Sequence, residues 1–150
     1  MNEKIEKIKK FNRFYLNVVG LYAQYSKGSP YSMSEAMIIY EIDKRKRCTA
    51  SQLSEYFDFD KGYVSRMIHK LSKQKLIERV SDNQDKRKKY LHITEKGQKV
   101  LKELSDNASN DVRRMIEKID LEQVNSLIQS MEEIEEILSV NKGGRFDEEK

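Results

Sequence analysis

Two short stretches hold the side chains with recognition chemistry. In DKGYVSRMIHKL, residues 60–71, Val64, Met67, Ile68 and Leu71 recur at i, i+3, i+4 and i+7, the pattern of one buried helical stripe. The opposite face then carries Gly62, Ser65, Arg66, His69 and Lys73, with Lys61 and Tyr63 at its exposed start. Such a face suits the grooves of a nucleic acid. A guanidinium pairs bidentately with guanine, a hydroxyl reaches a base or a phosphate, and a phenol ring stacks or touches a thymine methyl. Gly62 would let the backbone come close to phosphates. In DKRKKY, residues 85–90, Lys86, Arg87, Lys88 and Lys89 follow Asp85 between two strand-like runs. An exposed hairpin tip of that charge suits a narrow minor groove, where negative potential concentrates. Asp85 is placed to hold Arg87 in position.

Each assignment has a plainer rival. Arg66 could form an internal ion pair that braces the motif, and the basic tip could be solvated only. His69 reads as a surface histidine, since only His92 could join it and no Cys, His or carboxylate cluster has ligand spacing. No metal, no cofactor and no catalytic residue is therefore expected. Charge distribution favours the recognition reading. From residue 60 to 90 ten Lys/Arg stand against four Asp/Glu, and from 117 to 150 four stand against ten. A basic middle and an acidic end predict a polyanion partner for the middle alone.

The remaining chain must position these groups. Its 150 residues can bury a real core. A charged fraction of 36% beside 37% hydrophobic residues fits a helix-rich chain with long solvated faces. No apolar run approaches the roughly 18 residues that span a bilayer, and the charged start MNEKIEKIKK has no signal-type apolar segment behind it. The single cysteine, Cys48, excludes an intrachain disulfide and fits a reducing compartment. A cytoplasmic location and no membrane partner are expected.

Apolar spacings of three and four predict a helix over 4–25, wide and aromatic enough to be buried against a second subunit. Lys27-Gly28-Ser29-Pro30 breaks it. Ser32 with Glu35 and Thr49 with Gln52 are capping-box patterns that open a second and a third helix. The second is expected to end in Lys44-Arg45-Lys46-Arg47, where cations favour a helix C-terminus. Leu53, Tyr56 and Phe57 line the third. Asp60 caps the helix that carries the first recognition stretch, expected over about 61–74.

Residues 76–80 and 90–93 read as two strands around the turn residues 81–85. Thr94 caps a helix over about 95–119, and Asp120 with Gln123 opens the last one. The apolar stripes of these two helices, with that of the first, are too long for one compact monomer and point to a dimer interface. Residues 141–150 read as a frayed polar tail. The fold class is therefore mainly α with a small β-hairpin wing: a winged helix-turn-helix flanked by N- and C-terminal dimerisation helices.

Over residues 8–140 the sequence resembles the MarR (multiple antibiotic resistance regulator) family of winged-helix repressors. The likeness is densest in TASQLSEYFDFDKGYVSRMIHKLSKQKLIERV and in DKRKKYLHITEKGQKVL. In the second segment Asp85, Arg87, Thr94 and Gly97 match the family's wing signature, and Ile93 replaces its usual Leu. The resemblance implies one family unit over 1–150, with dimerisation helices in 1–30 and 98–140, a DNA-binding lobe in 32–97 and a flexible tail in 141–150. It further implies a homodimer on a palindromic operator in double-stranded DNA, with Tyr63, Ser65 and Arg66 at DNA-facing positions in the major groove, Arg87 as the wing arginine and Asp85 steadying it; Lys61, Gly62, His69, Lys86 and Lys88 join them as DNA-binding candidates on the reading of the residues themselves. A small aromatic or anionic effector is the family's other implication; Tyr15, Tyr22, Tyr25 and Tyr40 could line its pocket or be plain interface aromatics. Some members use a reactive cysteine near the N-terminus. Cys48 lies elsewhere and reads as a small buried residue. A narrower resemblance, in SPYSMSEAMIIYEI and FDFDKGYVSRMI, is to the regulator half of proteins fused to a GNAT acetyltransferase. That is the alternative reading, with no catalysis expected in this polypeptide.

Overall fold

A computed structural model describes residues 1–23 and 26–140. In chain order the elements are α1 (Asn2–Tyr22), a short 3-10 turn (Ser26–Gly28), α2 (Met33–Lys44), α3 (Ala50–Phe57), α4 (Lys61–Lys73), β1 (Ile77–Ser81), β2 (Lys89–Ile93), α5 (Glu95–Ile116) and α6 (Leu121–Ser139). The expected class, mainly α with a two-stranded antiparallel hairpin, holds. Tyr25 and the expected tail at 141–150 lie outside the described residues.

The boundaries follow from local chemistry. Ser32 Oγ accepts from Glu35 N while Glu35 Oε2 accepts from Ser32 N, so α2 opens with both halves of its capping box. Thr49 and Gln52 repeat the exchange at α3. Asp120 and Gln123 do so at α6. The differences are at helix ends. α1 stops at Tyr22 rather than 25, and α5 at Ile116 rather than 119, where Ile119 N donates back to Ile116 O in a closing turn. α2 stops at Lys44, so Arg45, Lys46 and Arg47 lie beyond it and do not serve as its last turn.

Pro30–Leu104 forms the body of one compact unit. Its core joins Ile38, Ile39 and Ile42 of α2, Leu53 of α3, and Val64, Met67, Ile68 and Leu71 of α4. Cys48, Leu76, Ile77 and Leu91 complete it. Each fully buried Leu or Ile contributes about 1.5–3 kcal/mol relative to exposure. β1 and β2 pair antiparallel from Ile77↔Ile93 to Ser81↔Lys89. Cys48 adds a single rung to β2, with Leu91 N donating to Cys48 O at 2.7 Å. α4 ends in a Schellman motif: Leu76 N donates to Leu71 O and Lys75 N to Ser72 O, with Lys75 at φ 61°. That reversal turns the chain directly into β1.

Met1–Ser29 and Ser105–Ile134 form the other unit. The 3-10 turn is tied to α5, because Ser26 N and Oγ both donate to the Asp111 carboxylate. Arg114 donates to Tyr22 O at 3.4 Å. Among the described residues, none of α1 or α6 is buried. Ile8, Phe11, Phe14 and Leu16 of α1 stand exposed, as do Ile128, Ile137 and Leu138 of α6.

Candidate nucleic-acid interface

The face expected to recognise something is built on α4, which is fixed at both ends and along its back. At its start, α3 closes on Asp58 in the left-handed region (φ 55°, ψ 40°), a conformation that Asp tolerates better than most residues. Phe59 N donates to Ser54 O, and Ser54 Oγ donates to Phe59 O at 2.6 Å, which locks the turn. Asp60 Oδ2 then accepts from Tyr63 N at 3.1 Å, the expected cap. Along the back, Val64, Met67, Ile68 and Leu71 are all buried. Near the end, Lys70 Nζ donates to the buried Glu35 at 2.7 Å and so ties α4 to the capping box of α2. Glu35 therefore serves two elements at once.

With its back so held, α4 presents Lys61, Gly62, Tyr63, Ser65, Arg66 and His69 on the exposed side. Tyr63 stands edge-on to Phe59, which stacks on Phe57, which meets Tyr56 edge-on; the ring centroids lie 4.9–5.4 Å apart. An aromatic run thus steadies the residue at the start of the reading face. Arg66 has no ion pair among the described residues. Its Nη1 folds towards Gly62. A Cβ built there would lie 3.3 Å from that atom and 3.0 Å from Asp60 Oδ2. Gly62 therefore makes room for these two side chains, a use not foreseen from its permissive backbone.

The hairpin tip is the second basic surface. Lys88 N donates to Asp85 O at 3.0 Å, closing a turn with Lys86 and Arg87 at its corners, and Asp82 N donates to Lys88 O at 2.9 Å across its base. Lys86, Arg87 and Lys88 are exposed. Asp85 does hold Arg87, but by its backbone: Asp85 Oδ1 accepts from Arg87 N at 3.0 Å. No ion pair engages the Arg87 guanidinium among the described residues, so the charge is free to act outward.

The linker cations take on a different task from the one expected of them. Arg45 Nε donates to the buried Glu41 at 3.1 Å, and its guanidinium lies 4.8 Å over the Tyr56 ring. Arg47 lies 4.5 Å over the Tyr90 ring and 3.6 Å from Asp82. Tyr90 Oη donates to the same Asp82 oxygen. Arg45, Arg47, Asp82 and Tyr90 were not legible as partners, because α2 had been extended through 47 and Asp82 counted as turn chemistry.

Cys48 is buried, as expected. Burial pushes its thiol from an ordinary value of 9.0 up to about 11, with Arg45 working against the shift and Glu41 adding to it. The folded state holds this proton more tightly than the unfolded chain, so its stabilising effect is complete below pH 9 and is lost as pH rises through 11. Denaturation midpoints of the protein and of Cys48→Ala should therefore converge between those values. A thiol reagent at neutral pH should label the native protein far more slowly than the unfolded chain; equal rates would contradict the burial. Of the tyrosines, Tyr15 stacks on Phe11 at 5.9 Å in the first-described helix, while Tyr40 is exposed on α2. Tyr22 is half-buried at the end of α1, and Tyr25 lies outside the described residues.

Comparison with known proteins bears on this geometry. The model of the MarR family matches residues 31–89. The HTH-type transcriptional regulator BilQ of Clostridioides difficile is 29% identical over 79 residues, 51% of this chain and 53% of its own length. The match thus spans about half of that curated relative. Among solved structures, Streptococcus pneumoniae FabT in complex with DNA is similar at TM-score 0.73 and 24% identity, over 90% of this chain and 97% of that one. Bordetella bronchiseptica BpsR, whose DNA binding is regulated by 6-hydroxynicotinic acid, is similar at TM-score 0.66 and 16% identity, over 84% and 90%. At these identities the structural likenesses establish a shared fold.

Proposed function

We propose that this chain is a MarR-family regulator, in keeping with the match of that family's model to residues 31–89, and that it regulates transcription as a homodimer bound to a palindromic operator in double-stranded DNA. One observation carries the reading. The same compact unit presents an α4 face of exposed hydrogen-bonding groups, Lys61, Tyr63, Ser65, Arg66 and His69, and an exposed basic tip, Lys86, Arg87 and Lys88. α4 reads the major groove and the tip enters the flanking minor groove. Residues 32–97 are the DNA-binding lobe. Residues 1–30 and 98–140 are the dimerisation segments, a reading supported by the uncovered apolar stripes of α1 and α6. The protein acts as a repressor that a small aromatic or anionic molecule releases, in keeping with the regulation of BpsR by 6-hydroxynicotinic acid.

The test is enrichment of duplexes from a random library by the full-length chain, followed by titration of the selected sequence. An inverted repeat is expected, bound by two protomers. Affinity should fall roughly a thousandfold between about 50 and 200 mM salt if about six phosphates are neutralised. Arg66→Ala should cost about 1–3 kcal/mol and relax preference at one base pair of each half-site, with folding unchanged. Failure to enrich any sequence, or binding insensitive to salt, would sink the proposal.

A further inference from the structure

We propose that Arg47 is a positioning residue for the hairpin tip: it aims Arg87 at DNA without touching DNA itself. The proposal rests on the reading of the tip as a minor-groove probe. Asp82 is the hub. Its Oδ2 accepts from Tyr90 Oη at 3.3 Å and faces Arg47 Nη2 at 3.6 Å, and its Oδ1 accepts from Gln84 N at 3.2 Å. Its own N–H donates to Lys88 O, closing the loop that bears Arg87. Arg47 stacks on the Tyr90 ring at 4.5 Å and so covers the same hub from the α2–α3 linker. One residue further along, Cys48 O accepts from Leu91 N, which fastens that linker to β2 beside Tyr90.

The tip has no other side-chain anchor to the lobe among the described residues. A two-stranded hairpin is a weak structure in isolation, so its angle depends on what grips its base. The grip adds little to stability, because the Arg47 side chain is 66% exposed and exposed ion pairs are screened by water and salt. Asp82 is another matter. Its side chain is 17% exposed and is held by Gln84 N, Tyr90 Oη and Arg47. Binding a groove requires the guanidinium to be held within a narrow range of angles, and loosening the base releases that restraint. A positioning role therefore predicts a large change in DNA binding with a small change in melting temperature.

The test uses the full-length chain and an enriched duplex made with either A/T-rich or G/C-rich flanks. Arg47→Ala is expected to weaken binding roughly tenfold, to erase most of the preference for A/T-rich flanks and to leave the melting temperature nearly unchanged. In an Arg87→Ala background the same change should cost less than about twofold, since the contact it would misplace is already gone. Additive losses would give Arg47 a DNA contact of its own and overturn the proposal, as would unchanged affinity in Arg47→Ala. If Arg47→Ala does not fold, Asp82→Asn keeps the shape of the hub and removes its charge, with the same non-additivity expected. Arg87→Ala alone reports on the underlying reading. No loss there refutes the tip's part in DNA binding and the brace with it; a loss there with none at Arg47 refutes the brace only.

Discussion

Arg87→Ala is expected to weaken binding to the selected palindrome by roughly 10- to 100-fold, most of all where the flanks are A/T-rich, while the protein stays folded. The size follows from symmetry. The proposed homodimer would bring two wings, so a loss of about 1 kcal/mol at each would compound to more than tenfold. The direction follows from what surrounds the residue. Its backbone is held by Asp85, and its guanidinium meets no carboxylate among the described residues. Removing it therefore breaks nothing inside the lobe. Lys86→Ala and Lys88→Ala should act differently, weakening binding to all duplexes alike and flattening the salt dependence, because a point charge on a phosphate carries no sequence information. Fluorescence anisotropy with a labelled duplex, at matched salt, separates the two behaviours. If Arg87→Ala binds as tightly as the parent protein, the tip is a solvated loop.

Gly97→Ala should lower stability by about 3 kcal/mol, and so the melting temperature by roughly 6–12 °C. Local propensity argues the other way, since alanine in a helix is worth about 1 kcal/mol more than glycine. Tertiary packing overrides it. Thr94 N donates to Leu76 O at 3.0 Å, and Thr94 Oγ1 donates to Lys75 O at 2.7 Å while accepting from Gly97 N. These bonds draw the first turn of α5 onto the α4–β1 junction. A Cβ at position 97 would lie 2.1 Å from Leu76 O and 2.7 Å from Ile93 Cγ1. The nearest obstacle is backbone, which cannot swing aside, so α5 or the junction must move. Thermal and denaturant unfolding would measure the loss. A variant as stable as the parent would show that the close approach is dispensable.

These two residues mark how far the sequence could be read. Gly97 was visible as a motif position, and its necessity was not, because the carbonyl it approaches belongs to Leu76, on the far side of the hairpin. Arg87 and the hold of Asp85 on it were visible by type; that the hold runs through the backbone amide was not. Glu35 was read as half of a capping box, but its second partner, Lys70, lies 35 positions away. Arg45 and Arg47 were assigned to the end of α2 because cations suit a helix C-terminus. The helix stops at Lys44, and aromatic rings on α3 and β2 claim both guanidiniums.

The basic tip and the reading face of α4 are where that division is plainest. The sequence by itself determined the caps at Ser32, Thr49, Asp60, Thr94 and Asp120, the stripe that buries Val64, Met67, Ile68 and Leu71, and hence which side of α4 faces outward. Each of these is settled by hydrogen bonds and side-chain spacings within one or two helical turns, so neighbouring residues suffice to specify them. Only the tertiary structure decided that Arg66 has no ion-pair partner among the described residues, that Gly62 makes room for Asp60 and Arg66, and that Asp82 gathers Arg47 and Tyr90 at the base of the hairpin. Those outcomes depend on which elements meet and at what separation, and no local rule encodes the distance between side chains tens of residues apart.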